Sequence, residues 1–139
     1  MSLNAVSCLK ERLGGHSGVK YTASQTAIKV DAPNPSGFSL VLALEQGAWI
    51  VRFDGWHHCF TSAPEAVEFF LLGLRGNCRL KTISRAGLTY QWSVEIEMEN
   101  GWRLHSTVTK HSLARVFAVW RRKSVIYRQN SLSVEEGEG

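Results

Sequence analysis

The sequence lacks the signatures of exported, disulfide-bonded and membrane-spanning proteins. Its three cysteines, Cys8, Cys59 and Cys78, form no C-x-x-C pair, and their odd number argues against a disulfide framework. No apolar run reaches the roughly 18 residues that a membrane-spanning helix needs. Residues 1–15 also lack the basic start and the apolar stretch of an export signal. We therefore expect a reducing compartment, the cytoplasm, and no membrane partner.

Nucleotide-binding and catalytic motifs are missing as well. No G-x-G-x-x-G follows a predicted strand, and "LGGHSGVK" has neither the spacing nor the Lys-Ser/Thr ending of a P-loop. Three glutamates, Glu95, Glu97 and Glu99, alternate along one predicted strand, which is typical of a solvated face rather than of an acid-base pair. We expect no cofactor and no catalytic residues, so an enzyme is less favoured than a binding protein.

The composition indicates one globular domain with a modest basic excess. The chain has 139 residues, of which 44% are hydrophobic and 20% are charged, enough for a single core. Its formal net charge is +4, but three of its 12 acids lie in the last seven residues, and the net charge without them is +7. We expect a single α+β domain over residues 1–132 and an acidic, disordered tail over 133–139.

The first part of the chain predicts one helix and three strands. Apolar residues at helical spacing predict a short amphipathic helix over residues 3–13. Residues 19–30 are rich in β-branched side chains, but their apolar positions change phase, which predicts one long strand with a bulge or bend. Two more strands are predicted over residues 38–45 and 49–54, joined around Gln46-Gly47.

The central helix, predicted over residues 63–74, has the clearest local signal. Ser62 can cap its first turn, and Glu65 can reach back to complete a capping box. Glu68 is the only charge from residue 66 to 74, so apolar side chains surround nearly the whole circumference. A helix with this pattern is buried.

Three strands are predicted after this helix. In "LTYQWSVEIEM" apolar and polar residues alternate, so one face is predicted to be dry and the other wet. Consistency of the two faces favours three-residue loops, residues 85–87 and 99–101, over two-residue turns. Arg79 and Lys81 then share the wet face with the glutamates. The predicted pairs are Met98 with Trp102, Ile96 with Leu104, Glu97 with Arg103, Glu95 with His105, and Cys78, in the core, with Val94.

These elements predict an α+β fold in which a curved antiparallel sheet of about six to seven strands packs on the central apolar helix. The helix-then-three-strands order occurs twice, which hints at an internal duplication. Residues 112–123 fit either a helix or the approach to a last strand near residues 125–129.

The stretch "FDGWHHCF", residues 53–60, is the first candidate site. In an extended strand Trp56, His58 and Phe60 share one face, while His57 and Cys59 share the other. His57 and Cys59 could supply two ligands to zinc, but a zinc site needs at least one more from the protein. The remaining histidines, 16, 105 and 111, are scattered along the chain. We expect no metal site here, and Asp54-Gly55 is predicted to form a turn.

The basic and aromatic run "WRRKSVIYRQ", residues 120–129, is the second candidate. Its arginines and aromatic rings suit phosphates and stacked bases, or an acidic partner, although charge on an edge strand also prevents aggregation. The candidate binding residues of the two stretches are Trp56, His57, His58, Trp120, Arg121, Arg122, Lys123 and Tyr127.

The chain resembles short uncharacterised bacterial proteins that are classed only as a domain of unknown function. The resemblance rests on "WHHCF", the capped apolar helix, "CRLK", "YQW" and "VWRRKSVIYRQN", and it covers residues 49–130. It implies no activity, ligand or site.

The function that we favour from sequence is a non-enzymatic binding or interaction module that uses an aromatic and basic surface. One alternative is a small enzyme or ligand-binding protein with a pocket between the central helix and the sheet, lined by tryptophans 49, 56, 92 and 120. Another is nucleic-acid binding, which is less favoured. A protein or acidic partner and a homodimer both stay open.

Overall fold

The structure, a computed structural model, describes residues 5–14, 19–110 and 122–130. The predicted tail, 133–139, and most of segment 112–123 lie outside the described residues. No described helix is long and apolar enough to cross a membrane. The described elements are α1 (Ala5–Leu13), β1 (Tyr21–Ala23), β2 (Ala27–Val30), β3 (Leu40–Glu45), β4 (Ala48–Phe53), β5 (Trp56–Phe60), α2 (Ala63–Leu74), β6 (Cys78–Arg85), β7 (Leu88–Met98), β8 (Gly101–Thr109) and β9 (Lys123–Arg128).

The strands form two antiparallel sheets rather than one. The first sheet has five strands in the order β1-β2-β3-β4-β5, and the second has four in the order β8-β7-β6-β9. The predicted α+β class and the antiparallel pairing are confirmed. The predicted three strands after the first helix are wrong, because five strands follow α1 in the described part of the chain. The four strands that follow α2 match the predicted three strands and the last strand near residues 125–129.

Two strands of the first sheet are additional to the three predicted: β5 is one, and the division of residues 19–30 into two strands gives the other. This segment was predicted to be one bent strand, but β1 and β2 form a hairpin in which Tyr21 pairs with Val30. The Ser24 N–H donates to the Ala27 carbonyl at 2.8 Å and closes the turn. The change of apolar phase therefore marks a turn. A turn between two strands changes the phase of the apolar positions, just as a bulge within one strand would.

Helix α2 has the predicted bounds and covers the first sheet. Ser62 caps it by accepting a hydrogen bond from the Glu65 N–H at 3.4 Å. Gly73 lets the helix approach the sheet closely, since a Cβ there would lie 2.5 Å from Phe53 Cζ and 3.0 Å from Leu40 Cδ2. A larger residue at this position would push helix and sheet apart.

Both hairpins of the second sheet have two-residue turns, so the predicted three-residue loops are wrong. Arg85 pairs with Leu88, and Met98 pairs with Gly101. Irregularities farther along the ladders restore the alternation, one between Ile83 and Ser84 and one between Val94 and Glu95. The prediction assumed regular ladders, so it lengthened the turns to keep the two faces consistent. In the structure, bulges within the ladders do this instead. The actual pairs are Met98 with Gly101, Glu97 with Trp102, Ile96 with Arg103, Glu95 with Leu104, and Cys78 with Ile96.

Cys78 is fully buried, as predicted. Burial raises the pKa of its thiol to about 12, because an apolar environment disfavours the thiolate. Cys78 is therefore a core residue and not a nucleophile or a metal ligand.

Asn130 joins the end of β9 to the first sheet and to α2. The residue is completely buried. Its Oδ1 accepts from the Phe38 N–H at 2.9 Å, and its Nδ2 donates to the carbonyls of Phe38 at 3.2 Å and of Gly73 at 3.0 Å. One carboxamide thus satisfies three backbone groups that would otherwise be buried without partners.

We expect Asn130→Ala to lower the free energy of unfolding by about 2–4 kcal/mol, because it leaves buried backbone groups unpaired. Urea denaturation measures this change. Gln129→Ala is the matched control: it also removes a carboxamide, which donates to the Gly76 carbonyl at 2.6 Å from an exposed residue. We expect it to cost less than about 1 kcal/mol. Equal losses in the two variants would contradict this role of Asn130.

Candidate binding surface

Among the described residues, the structure does not bring the candidate residues of the two stretches together. Trp56 is fully buried, whereas His57 and His58 are exposed. Arg122, Lys123 and Tyr127 are exposed in or beside β9, at the opposite edge of the second sheet from β8, the strand that His58 approaches. Trp120 and Arg121 lie outside the described residues, as do His16 and His111. The two candidate stretches therefore form separate surfaces.

The two faces predicted for β5 are confirmed. His58 packs against Trp56 and Phe60, with ring centroids 6.1 Å and 5.0 Å apart, so these three side chains share one face. His57 and Cys59 are exposed on the strand as well. Within the described residues no group of three or more His, Cys, Asp or Glu side chains could hold a metal ion.

His58 meets a residue that sequence reasoning had set apart, His105 of β8. The two imidazole centroids are 5.2 Å apart, and His105 also lies 4.8 Å from the ring of Phe69. The ring of Trp56 is 5.8 Å from that of His105, and its Nε1 donates to Ser106 Oγ at 2.9 Å. We call these five residues, His58, His105, Trp56, Phe69 and Ser106, the histidine cluster.

A bulge in β8 explains why His105 was missed. Val94 pairs with Ser106 and Glu95 pairs with Leu104, so His105 is the extra residue between them. A bulge re-aims the side chain that it inserts, whereas the prediction placed His105 on the wet face of a regular strand. Sequence alone offers no signal for this, because the alternation of β7 is unbroken.

The hydrogen bonds of the histidine cluster favour a neutral His105. The indole of Trp56 can only donate, so Ser106 Oγ accepts there and its hydroxyl proton is free for His105 Nδ1, 3.1 Å away. Burial lowers the pKa of His105, and the nearby charge of His58 lowers it further. The cluster is a hydrogen-bonded junction between β5 and β8 rather than a catalytic dyad, since the Ser106 oxygen is already bound by Trp56.

A second cluster lies on the second sheet and uses one residue from each of its strands. The guanidinium carbon of Arg79 lies over the ring of Trp102, 4.4 Å from its centroid, and over the ring of Tyr127 at 4.2 Å. Arg79 Nε donates to Glu95 Oε1 at 2.6 Å. We call Arg79, Glu95, Trp102 and Tyr127 the aromatic-arginine stack.

Three members of this stack were not among the predicted site residues. Arg79 was assigned to a wet sheet face beside the glutamates, and its pairing with them is confirmed. It lies directly opposite Glu95 in the ladder of β6 and β7. The aromatic partners could not be found from sequence, because Trp102 and Tyr127 belong to the two outer strands and Arg79 and Glu95 to the two inner ones.

The lowered pKa of His105 predicts that the stability of the protein depends on pH. Folding lowers the pKa of His105 from 6.5, so between the two values the unfolded chain binds more protons than the folded chain. The contribution of neutral His105 to the free energy of unfolding is thus complete above the pKa of His105 in the unfolded chain. It falls as the pH decreases towards the pKa of His105 in the folded chain. We expect His105→Gln to reduce the loss of stability between about pH 7.5 and about pH 5.5, measured by urea unfolding.

His57 and His58 provide a matched pair for this experiment. His58→Gln should also reduce the loss, because it removes the nearby charge that disfavours protonation of His105. His57→Gln should leave the pH dependence of His105 unchanged, since the side chain of His57 lies on the other face of β5 and only burial and His58 lower the pKa of His105. An equal effect of the two variants would contradict the histidine cluster as the source of the pH dependence of stability.

Comparisons of the chain with protein-family models, with curated proteins and with solved structures find no match. The resemblance to a bacterial domain of unknown function therefore stays a prediction.

Proposed function

We propose that this protein is a non-enzymatic binding module that uses the face of the second sheet carrying the aromatic-arginine stack. The observation that carries the proposal is the position of Arg79, which lies over two aromatic rings and is held by Glu95. Tyr127, at the outer end of the stack, is exposed. Tyrosine and tryptophan beside arginine are typical of the residues that dominate binding interfaces.

The chemistry of Arg79 supports binding as well as packing. Glu95 occupies Nε, and no other hydrogen bond from the Arg79 side chain is found among the described residues. Its two terminal amino groups therefore keep donors that suit a carboxylate, in a position fixed by the rings and the ion pair. Pre-organisation of this kind lowers the entropy lost on binding.

The exposed apolar residues of the second sheet support the same face. Leu104 and Tyr127 each leave about half of their surface exposed, at 56% and 48%, on the two outer strands of this sheet. Exposed apolar side chains beside a fixed cation are more typical of an interface than of a solvated sheet face.

The alternative of a pocket lined by four tryptophans has less support. Trp56 is buried between Phe53 and Phe69, whose ring centroids are 5.1 Å and 5.5 Å away. Trp92 packs on Gly55 and donates to Asp54 Oδ2 at 3.1 Å, so it clamps the β4-β5 turn. Trp56 therefore fills space in the core, and the partly buried Trp92 packs against a turn.

The binding face can be tested by site-specific photo-cross-linking. We expect p-benzoylphenylalanine at position 127 to give a discrete adduct in cells that naturally produce the protein, because Tyr127 lies in the proposed face. An excess of unmodified protein should suppress the adduct by competing for the same partner. Electrophoresis and mass spectrometry of the adduct provide the measurement.

Tyr21 is the matched control for the cross-linking. It is another exposed tyrosine, but it lies in the first sheet. The same cross-linker at position 21 should not give this adduct. Identical adducts from both positions, or no adduct at position 127, would contradict the proposed binding face.

Nucleic-acid binding is disfavoured by the carboxylates of β7. Glu95 and Glu97 lie in β7 and Glu99 directly follows it, so a polyanion that crosses the sheet would meet their carboxylates. We expect no retardation of single-stranded or duplex probes in gel-shift assays at about 50 mM salt. Retardation that is lost by about 200 mM salt would favour the nucleic-acid alternative instead.

A further inference from the structure

We propose that β9 binds an extended peptide by strand addition, and that this peptide has an apolar centre and acidic ends. The inference rests on the proposed function, because it names the class of partner and the edge of the second sheet that receives it. In this mode the backbone of the peptide pairs with an open sheet edge, while alternate side chains and flanking charges give specificity.

The first observation is the position of β9 in the sheet. It pairs with β6 on one side, and the described residues place no strand on its other side. An edge strand presents unpaired N–H and C=O groups along that side, and these form a template for another strand. The six residues from Lys123 to Arg128 offer about 20 Å of edge at 3.3 Å per residue.

The second observation is the apolar centre of β9. Val125, Ile126 and Tyr127 are consecutive, and each leaves 42–48% of its surface exposed. Consecutive strand residues point to opposite faces, so apolar surface is exposed on both sides of this strand. A neighbouring strand would cover both faces at once through cross-strand contacts, which a ligand lying on one face cannot do.

The third observation is the charge of this segment. Arg122 and Lys123 lie at one end of β9 and Arg128 at the other, and residues 122–130 contain no acid. An added strand would lie about 4.8 Å from β9 and about 14 Å from β7, with its glutamates. That separation exceeds the Debye length of about 8 Å, so the added strand would interact mainly with the cations. Acidic residues at both ends of the peptide complete the charge complementarity.

The same charges argue against a second copy of β9 as the occupant. Two antiparallel copies would bring three cations of one strand against three of the other, with no acid in either. In the register centred between Val125 and Ile126, Lys123 would lie directly opposite Arg128 twice. Like charges opposite one another destabilise a strand pair.

The test uses a synthetic fluorescent peptide with the sequence Glu-Glu-Val-Thr-Val-Glu-Glu. We expect saturable binding to the full chain in fluorescence anisotropy, together with slower hydrogen exchange of β9 amides. Two control peptides isolate the mechanism. The first replaces the glutamates by lysines, and the second carries N-methyl groups on alternate amides, which remove backbone donors but keep every side chain. We expect both to bind at least about tenfold more weakly.

Charge-reversed variants locate the site. Arg122→Glu with Lys123→Glu should weaken binding by about tenfold or more, because it reverses the charge at one end of β9. Arg103→Glu with Lys110→Glu changes the net charge equally at the other edge of the same sheet, where both residues are exposed. That control should bind the peptide nearly as well as the unmodified chain. Both variants alter exposed residues, and unchanged urea midpoints would verify their folding.

Three results would overturn the inference: no binding of the peptide, equal binding of its N-methylated form, or equal loss in both charge-reversed variants. The cross-linking at position 127 distinguishes a failure of the strand-addition inference from a failure of the proposed function. A specific adduct there without peptide binding would keep the binding face and reject strand addition. Peptide binding that needs the backbone amides and Arg122 and Lys123 would support the inference.

Discussion

The contact that the rest of the structure depends on is the close approach of α2 to the first sheet at Gly73. The missing side chain lets Phe53 of β4 pack against the helix backbone. The Gly73 carbonyl also accepts from Asn130, which bonds both backbone groups of Phe38. Helix, first sheet and the end of β9 are thereby joined at one buried point, where an unsatisfied polar group or an added methyl group would be expensive.

From this point the packing continues into the two sheets. Phe53 stacks on Trp56 and on Phe69, and Trp56 bonds Ser106 of β8, so the aromatic core of the first sheet reaches one edge of the second. Asn130, two residues after the end of β9, holds the other edge through its hydrogen bonds to Phe38 and Gly73. The second sheet is thus joined to the rest of the fold at both outer strands, and its exposed face carries the aromatic-arginine stack.

Charge is distributed unevenly across this face. The glutamates of β7 neutralise Arg79 in part, whereas the cations around β9 have no acid near them in residues 122–130. The apolar residues of β9 lie between those cations. This separation distinguishes the two kinds of partner considered, because a polyanion lying across the sheet meets carboxylates and an extended peptide beside β9 does not.

Local patterns in the sequence determined the helices, most strand positions, the two faces of β5 and the burial of Cys78, because capping residues and apolar periodicity act over a few residues. The hairpin within residues 19–30 and both two-residue turns were missed, since a phase change is compatible with several backbone geometries. Only the tertiary structure decided which side chains meet. A bulge brings His105 to His58, and the order of four strands brings Trp102, Arg79 and Tyr127 together. Such contacts depend on ladder irregularities and strand order, which are set by packing over the whole domain and leave no local trace in the chain.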